Sequence, residues 1–123
     1  MLRTIMMLCV IWSNGCMATH QPSEFLHHIQ GSRHEGAQIV EHFCAVCHAS
    51  HPEIAIGAPR MHYFKDWQPR LKQGMSRLFK HTDEGVNAMP PRGGCFECTD
   101  AQLLLSIESI IGKDGQKYIK NIK

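Results

Sequence analysis

Aromatic residues are scarce in this 123-residue chain, at 7%. A core built from side chains alone would be thin, and a bound apolar group would thicken it. No stretch shows the period-two alternation of a strand, and no internal repeat is present, which leaves one all-helical domain. Neither charge sign dominates: 13 Lys and Arg stand against 11 Asp and Glu. No basic block interleaves with aromatics, so nucleic-acid binding is not indicated. The apolar run from Ile5 to Trp12 falls far short of the ~20 residues that span a bilayer. A convincing general acid–base set is also missing, which argues against an enzyme.

The short apolar run has a different meaning. Arg3 precedes it and Ser13, Asn14 and Gly15 follow it, which is the order of an export signal. Two processing sites are open. Cleavage after Ala18 places Cys16 and Ala18 at the small-residue positions. Processing before Cys16 would leave a lipidated cysteine and a membrane attachment. Either way the chain is read as exported, and periplasmic. Of six cysteines, Cys9 and Cys16 lie in this signal. The other four form two C-x-x-C pairs, and an oxidising compartment permits a disulfide.

The first pair carries the strongest signal: Cys44-Ala45-Val46-Cys47-His48. This is C-x-x-C-H, the attachment pattern for c-type haem. Two thiols one helical turn apart can each add to a vinyl group of the porphyrin. The histidine after the second can then bind iron from one axial side. A zinc half-site and a redox dithiol are the competing readings. The dithiol expects a βαβ context, whereas the flanks here have helical spacing.

Four segments are expected. Residues 1–18 are the signal, 19–31 a polar His-rich tether with at most a short helical turn at Glu24 to Ile29, 32–112 the folded domain and 113–123 a basic tail. Ser32 and Glu35 have the spacing of a capping box. Ala37, Val40, Cys44 and Cys47 then share one helical face, so the first helix is predicted over 33–48. Gly36 inside it is either tolerated or marks the close approach of another helix; we favour the second. Asp66 is expected to cap a helix from Trp67 to Gln73, with Pro69 in its first turn. Gly74 breaks it, Met75 to Thr82 forms another, and Gly85 ends that. Val86 to Phe96 reads as a Gly- and Pro-rich loop. Thr99 and Gln102 form a second capping box for a closing helix over 100–111, which Gly112 stops. The lysines beyond, Lys113, Lys117, Lys120 and Lys123, are a solvated end or a docking patch for an acidic partner.

A haem iron needs a second axial group. Met89 stands in the frame Ala88-Met89-Pro90-Pro91-Arg92-Gly93-Gly94-Cys95. The prolines stiffen the chain after the sulfur and lower the entropy cost of holding it. Met61 and Met75 fit better as core residues. His51, His62 and His81 are rival ligands that read better as surface residues.

At this point the chain resembles the cytochrome c5-type family of small class I monohaem c-type cytochromes. The resemblance spans about residues 33–112. It rests on C-x-x-C-H, Gly57-Ala58-Pro59, Trp67-x-Pro69-Arg70, Gln73-Gly74-Met75 with Leu78, and the run from Met89 through Cys95-x-x-Cys98. It implies an all-α class I cytochrome c fold, about four short helices around one covalent haem c. It implies Cys44 and Cys47 as thioether anchors and His48 and Met89 as axial ligands. Pro59 would orient His48, Trp67 and Arg70 would lie near the haem propionates, and Cys95 and Cys98 would form a disulfide. His51 and a lengthened 51–57 segment depart from the family pattern. The expected function is single-electron transfer in a respiratory chain, between redox proteins such as a quinol-oxidising complex and a terminal oxidase or reductase. The alternative is a haem enzyme or gas-binding sensor with a labile distal ligand.

Overall fold

The first two helices already depart from the expected plan. The computed structural model describes residues 21–122; the expected signal with Cys9 and Cys16, and the start of the tether, lie outside the described residues. The rest of the expected tether is a helix, α1 (Pro22–Ile29). Phe25, Leu26 and Ile29 give it an apolar face that the polar composition obscured. Leu26 and Ile29 are buried with Ile39, Cys95, Cys98 and Leu103, so this segment is part of the folded unit.

α2 (Glu35–Ile39) begins later than predicted. The Glu35 carboxylate accepts the Gly31 N–H at 2.7 Å rather than that of Ser32, and Gln102 Nε2–H at 2.9 Å. Ser32 Oγ accepts instead from the Gln38 amide at 3.2 Å. The helix then widens into a π turn (Val40–Cys44), in which the Ala45 N–H reaches back to the Val40 carbonyl, before α3 (Ala45–His48). The thiols and His48 therefore sit on a re-phased helix end.

α4 (Phe64–Leu71) starts before Asp66, so Asp66 does not cap it and Pro69 is an interior residue. Asp66 binds Arg60 instead, accepting its Nε–H at 2.8 Å. α5 (Gly74–Glu84) follows across Gly74, whose φ of +80° only glycine adopts readily. After Val86 and Met89 exchange backbone hydrogen bonds of 3.1 and 2.9 Å, a 3₁₀ turn (Pro91–Gly94) leads to the last helix.

α6 (Asp100–Asn121) opens on the predicted capping box: Thr99 and Gln102 each bond the other's backbone N–H. The helical backbone breaks at Gly112 (φ 68°, ψ −179°), as expected, but a second helical stretch runs on directly beyond it. The expected solvated tail is thus helical to Asn121. Ile119 returns to the core, and Tyr118 packs on Phe64 with ring centroids 5.7 Å apart.

α6 crosses α2, α4 and α5 and is the spine of the fold. An ideal Cβ on Gly36 would stand 2.3 Å from the Leu105 carbonyl oxygen, so α2 and α6 meet backbone to backbone. Two apolar clusters result. One gathers Val40, Trp67, Leu71, Leu78, Ile107, Ile110, Ile111 and Ile119, with Cys44 and Met61 against it. The other lies under α1 and the Cys95–Cys98 pair, and Phe79 touches both. No strand and no helix long and apolar enough to cross a membrane occurs among the described residues.

Candidate functional site

His48 ends α3 in a buried position, 7% exposed. Its Nδ1 lies 2.7 Å from the Pro59 carbonyl oxygen. A carbonyl only accepts, so Nδ1 carries the proton and Nε2 keeps its lone pair. Burial holds the imidazole below its ordinary pKa, and Arg70 pushes the same way, against the Pro59 bond. The result is a neutral imidazole of fixed tautomer with one nitrogen available to a metal. Trp67 stacks against that ring, centroids 5.9 Å apart and planes 19° from parallel. Its own Nε1–H donates to the Arg60 carbonyl at 2.8 Å. The Met61 N–H donates to the His48 carbonyl at 2.6 Å, closing the loop that carries Pro59.

Cys44 and Cys47 are free, half-buried thiols. Burial, and secondarily Cys47, push the Cys44 thiol up to about 11. A redox dithiol is activated by a thiol pulled down, and burial pushes Cys44 the other way. Cys95 and Cys98 form a buried disulfide. That removes them from any four-cysteine metal site. Among the described residues no group of three or more His, Cys, Asp and Glu could hold a metal ion.

Met89 is half-buried on the loop between α5 and the Pro91–Gly94 turn. Gly85 (φ +81°) precedes it, where a Cβ would stand 2.7 Å from the Met89 carbonyl oxygen. Pro90 and Pro91 follow. The Pro91–Gly94 turn packs against the Val40–Cys44 turn, so the methionine loop meets the segment that leads to the thiols. The donor set is thus one neutral imidazole nitrogen, two thiols a turn apart and one thioether. It fits a c-type haem and not a zinc ion, which would want four closed N or S ligands.

The remaining expected residues are placed less centrally. Arg70 is exposed and donates NH1–H to the Asp66 carbonyl at 2.6 Å. His51 is exposed, with Ser50 Oγ at 3.4 Å from its Nδ1. His62 has φ 61° and packs beside Gly112, while its N–H donates to the Ile110 carbonyl at 2.8 Å.

Two arginines escaped the sequence reading. Arg60 stands over Tyr63, 4.0 Å from the ring centroid, and binds Asp66. Arg92 bonds Asp83, the Cys98 carbonyl and Asp100. For Arg92 there was a signal: it interrupts an otherwise Gly- and Pro-rich turn.

Comparison with known proteins finds cytochromes. The family model described as cytochrome C oxidase, cbb3-type, subunit III matches residues 31–104. Cytochrome c5 of Azotobacter vinelandii is 31% identical over 84 residues, 67% of this chain and 98% of that protein. Cytochrome c5 of Ectopseudomonas mendocina is 32% identical over 68 residues, 54% of this chain and 78% of that protein. Cytochrome c-555 of Chlorobaculum tepidum is 32% identical over 74 residues, 57% of this chain and 66% of that protein.

Proposed function

The chain belongs to the c-type cytochromes, as a cytochrome c5-type monohaem member carrying covalent haem c, and from that premise we propose that it is a periplasmic single-electron carrier of a respiratory chain and not an enzyme. The observation that carries the reading is the His48 tautomer: the Pro59 carbonyl holds Nδ1–H at 2.7 Å and leaves Nε2 for iron.

In this reading Cys44 and Cys47 anchor the haem as thioethers, His48 is the proximal ligand and Met89 the distal one. The haem supplies one-electron exchange at its iron. The chain's part is to keep both ligands where they are in either oxidation state, so that little has to move as the electron passes. Pro59 fixes the His48 ring plane. Trp67 keeps water from one of its faces. Arg70 offsets propionate charge. Met/His ligation leaves iron without an open site and raises its potential.

The N-terminal pattern supports export, and Cys16 offers a lipid attachment. The partners are redox proteins such as a quinol-oxidising complex and a terminal oxidase or reductase. A spectroelectrochemical titration of the purified exported protein tests the proposal. One reversible one-electron transition with c-type bands in the reduced form is expected. A reduced spectrum without those bands would end the reading.

A further inference from the structure

Arg92 occupies a backbone conformation that its own side chain disfavours. Its φ is 57°, in the left-handed region, and Gly93 (φ 60°) and Gly94 (φ 85°) continue the same run. A residue with a Cβ is strained there, and a third glycine would meet the turn's geometry freely. The arginine therefore has to be explained by its guanidinium. One nitrogen bonds Asp83 in the last turn of α5. The other donates to the Cys98 carbonyl at 2.6 Å and to Asp100, the first residue of α6, at 3.1 Å. One half-buried side chain thus ties two helices and the disulfide ring together.

What this tie holds is the wall behind Met89. An ideal Cβ on Gly93 would lie 3.5 Å from Met89 Cε, so the Arg92–Gly94 turn rests directly against the end of the methionine side chain. If the turn opens, the thioether loses its backing. We propose that Arg92 is a positioning residue that keeps the Met89 sulfur on the haem iron. This rests on the reading of Met89 as the distal ligand. The clamp sets how much of the time the sixth position is free, and an external ligand binds only in that fraction.

The test is competition by two small probes on the holoprotein, imidazole for the ferric form and carbon monoxide for the ferrous form. Arg92→Asn is the informative substitution. Asn accepts the left-handed conformation better than other non-glycine residues, so the backbone demand is met and the clamp alone is lost. Its apparent affinity for both probes should rise about tenfold, the loss of a charge-assisted anchor. In a Met89→Ala background, where there is no sulfur to hold, Arg92→Asn should change nothing. A merely structural role would act alike in both backgrounds.

The outcomes separate cleanly. If the wild type binds imidazole as tightly as Met89→Ala, Met89 is not the ligand, and the clamp falls with it. If the wild type resists and Arg92→Asn resists equally, Met89 stands and the clamp is refuted. Equal tightening in both backgrounds also refutes it. Should Arg92→Asn fail to accumulate as holoprotein, Asp83→Asn is read the same way: a rise of several-fold supports the clamp, and wild-type affinity overturns it.

Discussion

Gly36→Ala puts the spine of the fold under direct test. The new methyl would stand 2.3 Å from the Leu105 oxygen and 2.7 Å from its carbonyl carbon, where carbon atoms prefer about 3.5–4.0 Å. Those are backbone atoms in the middle of α6, so no side chain can swing away. The two helices must part by roughly 1 Å, and such a gap already forfeits a quarter to a half of each contact's attraction. Overpacking of this kind costs about 1–3 kcal/mol. At a backbone contact we take the upper value, ~3 kcal/mol. Against it stands the helix preference for Ala over Gly, about 1 kcal/mol. The net loss is about 2 kcal/mol, a fall in Tm of about 10 °C for a domain of this size. Thermal unfolding of the ferric holoprotein by circular dichroism reads it. Ala37→Gly, on the exposed neighbour, controls for propensity and should cost only about 1 kcal/mol. A Gly36→Ala protein as stable as the wild type would refute the close crossing and leave Gly36 merely tolerated.

Other expectations follow from the same geometry. Leu26→Ala should lose about 2–5 kcal/mol in denaturant titration, because Leu26 is 4% exposed under the Cys95–Cys98 ring; a change within experimental error would make α1 a loose tether after all. Cys44→Ala should keep haem through Cys47 alone, and the pyridine haemochrome band should move to a single-thioether position; an unmoved band would remove Cys44 from the attachment. The Arg60 side-chain hydrogen bond, before any other cause, holds the Asp66 carboxyl at about 2, against an ordinary 3.8. A depressed carboxylate contributes stability that is present above 3.8 and lost as pH falls toward 2. Asp66→Asn should therefore flatten the stability–pH curve across that window, and an unchanged slope would show the pair is inert.

The parts legible in the sequence are those whose chemistry fixes a spacing. C-x-x-C-H can be read because two thioethers and an axial nitrogen need that order. The Thr99–Gln102 box can be read because two reciprocal hydrogen bonds need three intervening steps. Gly36 could be suspected because an interior helix glycine costs something and must be repaid. The π turn at Val40–Cys44 could not be read: no residue type marks such a turn, and only the folded backbone shows where the extra residue is taken up. α1 was hidden by its Pro, Ser, Glu and His content, although Phe25, Leu26 and Ile29 carry the face that docks. Beyond Gly112 the lysines outweighed Tyr118 and Ile119, the two residues that bring the helix back to the core. Asp66 looked like a cap because it precedes Trp67, but Arg60, which the loop folds beside it, offers a charged partner. Arg92 was visible only as part of a motif; its role depends on Asp83 and Asp100, which lie on other elements.

In the proposed carrier, His48 and Met89 together fill both axial positions of one covalently held haem. The absorption spectrum of the ferrous protein, recorded under argon and then under carbon monoxide at neutral pH, tests it most directly. With both positions filled, c-type bands that carbon monoxide leaves unchanged are expected. Bands that shift at once on its addition would mean an open sixth position, and with it a sensor or an enzyme in place of an electron carrier.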